Sequence, residues 1–160
     1  GIINIKDGDL DLINNLLDIM KNEKADFTLV FRYLADFIIG KEYLLINLFD
    51  NSKKINEWIN NWKNRIEKEG KFDKSLCIKM KKINPLYIPR NHLVEHALDE
   101  AVSNDNYKPF HNLLSYVTSP FDEISNSKEY TLPAPITDKP YKTFCGTWYF
   151  LSLVIILYKT

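Results

Sequence analysis

From Ser52 to Gly70 the chain reads SKKINEWINNWKNRIEKEG, and its apolar residues, Ile55, Trp58, Ile59, Trp62 and Ile66, recur every three or four positions. At 3.6 residues per turn that spacing lays them along one stripe of a helix, with Lys, Asn and Glu around the rest. The same rhythm returns in Leu10, Ile13, Leu16, Leu17 and Met20, in Phe27, Val30, Phe31, Leu34 and Phe37, and in Leu93, Val94, Ala97, Leu98 and Ala101. Glycine is scarce, 5 in 160 residues. A chain punctuated so seldom and patterned so regularly is predicted to be mainly α.

The boundaries of these helices can be read from caps and breakers. A first helix is expected near Asp9 to Asn22, with acids in its first turn. Asp26 is placed to cap the next, because its carboxylate can accept from the free N–H groups of a first turn. Gly40 is expected to close that helix, and a short apolar segment, EYLLINLF, follows. Ser52 is the expected N-cap of the long tryptophan helix. Asp73 to Lys82 is a further short helix, broken at Asn84-Pro85 because a residue before proline is pushed out of helical geometry. Pro89 is expected in the first turn of the helix that follows, where its missing N–H costs nothing. Tyr107 to Tyr116 is the last short helix. Beyond Thr118 the pattern dissolves: Pro120, Pro133, Pro135 and Pro140 exclude a continuous helix or central strand, so Ser119 to Thr147 is read as an extended arm. Trp148 to Tyr158 is strongly apolar but shorter than the roughly 20 residues a spanning helix needs. The expected divisions are therefore 1–118, 119–147 and 148–160.

Lys plus Arg and Asp plus Glu each number 21, which gives no excess of either sign to draw a nucleic acid or a charged membrane surface. Trp58 and Trp62 lie one turn apart and could serve as a base-stacking platform, but no basic groove accompanies them, and core packing is the reading preferred. The two cysteines, Cys77 and Cys145, are too few for a disulfide scaffold. Cys77, between Leu76 and Ile78, is read as buried; Cys145, in YKTFCGT, is read as accessible, either a redox-responsive thiol or one without a role. His92 and His96 flank Glu95 in H-L-V-E-H, a spacing that two zinc ligands and a general base could use on one helical face. A zinc hydrolase would need a third ligand, for which only Glu123 or Glu129 in the irregular arm offers itself; otherwise these are ordinary histidines on a helix. Arg90, at a helix start, could hold an anion or pair with a neighbouring carboxylate. Glycine-rich phosphate loops, G-x-S-x-G and C-x-x-C are missing. The start GIINIKDGD has no basic-then-apolar leader and no Met, and the chain is expected to be a piece of something longer.

Several separate segments, in order, resemble one family. INPLYIPRNHLVEHALDEAV carries Asn84, Pro85, Arg90 and Asn91 in a pattern similar to the late helix of the selenoprotein O (SelO, UPF0061) family, and DFTLVFRYLAD, the paired tryptophans, SPFDE and YKTFCGT are similar to further family segments. The resemblance implies the helical C-terminal portion of a protein-kinase-like fold. It also implies, for the intact family protein, transfer of AMP from ATP to protein hydroxyls with Mg2+ or Mn2+. The nucleotide-gripping lysine and its glutamate partner, the arginines and the metal-binding Asn and Asp would lie upstream of this chain. So no catalytic, cofactor-binding or metal-binding residue is expected in it. Asn84, Pro85, Arg90 and Asn91 would be structural, the main partner would be the upstream kinase-like portion, and Cys145 would match the family's C-terminal Cys or selenocysteine, proposed there to pair with another cysteine and tune activity. Residues 148–160 depart from the family pattern. The expected location is the bacterial cytoplasm, or mitochondria in a eukaryote. A small helical interaction module, engaging a partner through Trp148–Tyr158 or Trp58 and Trp62, remains the alternative.

Overall fold

A computed structural model describes residues 1–70 and 72–133. Among the described residues there are helices and no strands: α1 (Asp9–Glu23), α2 (Phe27–Phe37), α3 (Glu42–Ile46), α4 (Ser52–Glu67), α5 (Lys74–Ile83), α6 (Asn91–Asn104), α7 (Lys108–Val117) and α8 (Lys128–Thr131). They divide into two compact units. One holds residues 1–88 and 114–133; the other includes 89–113.

The first unit is organised around α4. Its predicted stripe is buried throughout, with Ile55, Trp58, Ile59, Trp62 and Ile66 each 3% exposed or less. The Trp58 and Trp62 rings stack with centroids 5.8 Å apart, and Phe37 and Phe72 meet Trp62 edge-on. The Trp58 indole N–H donates to the Leu12 carbonyl at 2.7 Å, so even its polar atom is used in joining α4 to α1. The pair is therefore core and offers no face to a nucleobase. Against α4 pack α1 and α3, while α2 packs on α3 and α5. Leu34, Leu45, Leu76, Cys77 and Met80 complete the core, and Cys77 is buried as expected.

Several expected boundaries hold and others move. Asp26 caps α2, accepting from the Leu29 N–H at 2.8 Å. Gly40 lies three residues past α2 with φ +82°, a left-handed conformation that glycine adopts without strain, and its N–H returns to Phe37 O. The cap of α4 is Asn51 and not Ser52: the Asn51 side chain accepts from Lys53 N, and Ser52 is already helical. Pro89 does not enter the first turn of α6. The Arg90 carbonyl opens that ladder, accepting from Leu93 N and Val94 N, so Pro89 stands outside the helix.

The larger correction concerns the faces of α1 and α6. In α1 the buried apolar residues are Leu16, Ile19 and Met20, while Leu10, Ile13 and Leu17 of the expected stripe are exposed. In α6 Ala97 is buried but Leu98 is exposed. Within the stretch expected to be an extended arm, 119–133 contains the one-turn helix α8. Its remainder, with Cys145, and the 148–160 tail lie outside the described residues.

Candidate functional site

Among the described residues Arg32 is the largest side chain to be fully buried, 1% exposed in the middle of α2. Burying a guanidinium is costly unless its N–H groups find acceptors. Here Nη1 donates to the carbonyls of Lys81 at 3.0 Å and Asn84 at 3.1 Å, and Nη2 to the carbonyl of Phe121 and to Glu123 Oε1, both at 3.2 Å. The first of these bonds follows from the sequence of another helix. The Lys81 carbonyl belongs to the last turn of α5, and its helical donor would be the N–H of residue 85. Residue 85 is proline and has none. Arg32 supplies the missing donor from α2.

One turn further along α2, the buried Asp36 binds Lys81 Nζ at 2.6 Å, and Lys81 also reaches Glu123 at 2.5 Å. Burial pushes the Lys81 pKa down, but the Asp36 and Glu123 carboxylates outweigh it and hold the ammonium above the ordinary lysine range. The hydrogen bond from Lys81, ahead of the influence of Arg32, keeps the Glu123 carboxyl below its usual value. Two cations and two carboxylates thus neutralise one another at the junction of α2, α5 and the 119–127 segment.

The same segment is stitched to the residues after α5. Leu86 N and Tyr87 N both donate to Pro120 O, at 2.7 and 3.3 Å. The buried Tyr87 hydroxyl accepts from Ile124 N at 3.1 Å. Ser127 gives its hydroxyl proton to Ile124 O, so in the 2.6 Å contact between Ser127 Oγ and Tyr87 the tyrosine is the donor. Beside this node lies an open groove of about 470 Å³, lined among others by Arg32, Asp36, Lys41, Tyr87, Glu123 and Lys128.

Arg32 therefore joins three stretches singled out in the sequence: DFTLVFRYLAD, INPLYIPRN and SPFDE. A family model described as protein adenylyltransferase SelO matches residues 1–118. The chain belongs to the SelO family. Its SelO-family relatives include proteins named protein nucleotidyltransferase YdiU. That of Maridesulfovibrio salexigens is 40% identical over 137 residues, covering 86% of this chain and 28% of that protein. That of Bacillus cereus is 37% identical over 147 residues, 92% of this chain and 29% of its own length. That of Agrobacterium fabrum is 34% identical over 147 residues, 92% and 30%. The chain spans about 30% of the length of these curated relatives.

The residues named from the SelO resemblance fall in different places. Asn84 accepts from Arg32 in the first unit, with Pro85 next to it in the chain; Arg90 and Asn91 open α6 in the second. Arg90 is buried, and its backbone is the N-cap of that helix. His92 and His96 lie a turn apart on α6, with His96 exposed. Burial, and secondarily the Arg90 charge, holds His92 below the ordinary histidine pKa, against the opposing pull of Glu95. Glu123, considered as a third zinc ligand, is engaged by Lys81 and Arg32, and among the described residues no three His, Cys, Asp or Glu side chains gather to hold a metal ion. Nor does the Arg32 node fit an ATP phosphate chain and its cation: its positive groups are already matched by Asp36 and Glu123. No helix of the described residues is long and apolar enough to cross a membrane.

The sequence reading passed over Arg32, Asp36, Lys81 and Tyr87. A signal existed: Arg32 and Asp36 sit i, i+4 on a helix with apolar residues on both flanks, where a solvated ion pair has little room.

Proposed function

We propose that this chain is the helical C-terminal portion of a SelO-type protein adenylyltransferase, that it packs behind a kinase-like catalytic portion outside the segment matched here, and that it does not transfer AMP by itself. The observation that carries the reading is the use to which Arg32 is put. Three of the segments that resemble the family, DFTLVFRYLAD, INPLYIPRN and SPFDE, meet at a guanidinium whose hydrogen bonds go to three main-chain carbonyls and one carboxylate. Such a residue fixes chain segments in register, with both Nη groups committed to the chain itself.

In this reading ATP and Mg2+ or Mn2+ are held by the catalytic portion, and protein hydroxyls receive the AMP. Transfer at phosphorus depends on positioning and on charge held by metal and by fixed donors. Among the described residues no His, Cys, Asp or Glu side chains gather as a metal-ligating set, and the cations of the Arg32 node are matched by Asp36 and Glu123. The redox role proposed for Cys145, which lies outside the described residues, belongs to the intact protein.

The test is incubation of the chain with labelled ATP, Mg2+ and a protein acceptor, beside the full-length Maridesulfovibrio salexigens relative. The chain alone is expected to leave the acceptor unlabelled while the relative labels it. Robust labelling by the chain alone refutes the reading.

A further inference from the structure

The two long helices that pack together in the first unit differ in how their apolar residues are used. On α4 the whole stripe is covered. On α1 the apolar arc is wider than the core that covers it: Leu16, Ile19 and Met20 are buried, whereas Leu10, Ile13 and Leu17 are 67%, 44% and 37% exposed. These three stand at i, i+3 and i+7 and form their own continuous line, rotated roughly 100° from the buried one. Beyond it the surface turns polar with Asn14 and, in the last turn, basic with Lys21, and then acidic with Asp11 and Asp18, all exposed. Isolated exposed leucines are ordinary, but a ribbon at helical spacing, bounded by charge on one edge and by core on the other, has the form of a contact face.

We propose that the Leu10–Ile13–Leu17 face of α1 is a docking surface for the polypeptide that SelO relatives carry outside the segment matched by this chain. This rests on the reading above and assigns it a location. The argument for that occupant is length. The matched segment is less than a third of each relative, so most of the relative's polypeptide lies outside it and can bury an apolar face. The complementary surface would be apolar, with basic or amide donors along the edge that meets Asp11 and Asp18.

The experiment uses a chimera: the Maridesulfovibrio salexigens relative with its matched segment replaced by this chain. Leu10→Gln, Ile13→Gln and Leu17→Gln are introduced together, in the chimera and in the isolated chain. Glutamine is close to leucine as a helix former, so α1 itself is little affected. In the isolated chain the three positions face water, and each substitution should leave the unfolding midpoint within about 2 °C. In the chimera the triple variant should unfold several degrees lower and label acceptor protein more slowly. Leu10→Met with Leu17→Met should restore both. Equal behaviour of the wild-type and triple-variant chimeras overturns the docking face. A comparable loss in the isolated chain also overturns it, since the residues would then be core. If the wild-type chimera is folded but inactive beside an active relative, the parent reading fails, and the docking face with it.

Discussion

Replacing Arg32 with methionine tests the node directly. Methionine retains the apolar stem and much of the volume, so little of the expected loss is a cavity. What disappears is the donor set. The carbonyls of Lys81, Asn84 and Phe121 lose the bonds they accept from Nη1 and Nη2, and water is poorly placed to replace a side chain only 1% exposed. Leaving a buried acceptor unmatched costs about 1–3 kcal/mol. The Lys81 carbonyl is the worst placed, because Pro85 offers no N–H in its stead. Glu123 adds little, since it is 56% exposed and keeps Lys81 as a partner. Taking each carbonyl near the low end of the range gives about 3–5 kcal/mol, which at this chain length lowers the thermal midpoint by about 6–20 °C. Hydrogen exchange should locate the damage: the Leu86 and Tyr87 amides, bonded to Pro120 O, lose protection before those of α4. Arg32→Lys, one point donor for four acceptors, should fall between. A midpoint for Arg32→Met within about 3 °C of wild type would show that the carbonyls are satisfied by other means, and the clamp would have to be abandoned.

Two further perturbations read other parts of the first unit. Asp26→Ala removes the acceptor for Leu29 N and should cost about 1 kcal/mol, seen as a midpoint lower by about 2–4 °C with α2 retained in the far-ultraviolet spectrum. Asp9 and Glu69 both titrate below their ordinary values of 3.8 and 4.5, Asp9 chiefly through its hydrogen bond from Arg65, Glu69 chiefly through the Ile3 N–H with help from Arg65. A carboxyl depressed in the folded state contributes stability that is complete above its unfolded pKa and is lost as the pH falls through the folded one. Urea midpoints should therefore decline on acidification below about pH 4, and Asp9→Asn should make that decline shallower; an unchanged slope would mean that the Arg65 pairing contributes nothing.

The helices were legible because their evidence is local. A 3.6-residue rhythm and the Asp26 cap each act within a few residues and reappear where expected, while Gly40 takes its left-handed turn three residues beyond the end of α2. The Arg32 node was not legible from periodicity, because an arginine within an amphipathic pattern is assigned to solvent by default; what buries it is a proline 53 positions later that leaves a carbonyl without its donor. The family resemblance did point to the right segments, but not to the atom that joins them. In α1 the failure is one of degeneracy. Leu10, Ile13 and Leu17 make a valid stripe, and so do Leu12, Leu16 and Ile19; only the neighbouring helix decides between them, and α4 takes the second. Two adjacent leucines measure that choice. Leu16→Ala, at 3% exposure among the core residues, should cost about 2–5 kcal/mol, while Leu17→Ala, 37% exposed, should cost less than about 1 kcal/mol in the isolated chain. Chemical denaturation of the two variants compares identical deletions one residue apart. Equal losses would place both leucines in the core, leave α1 without its open face, and remove the basis for docking a longer polypeptide there.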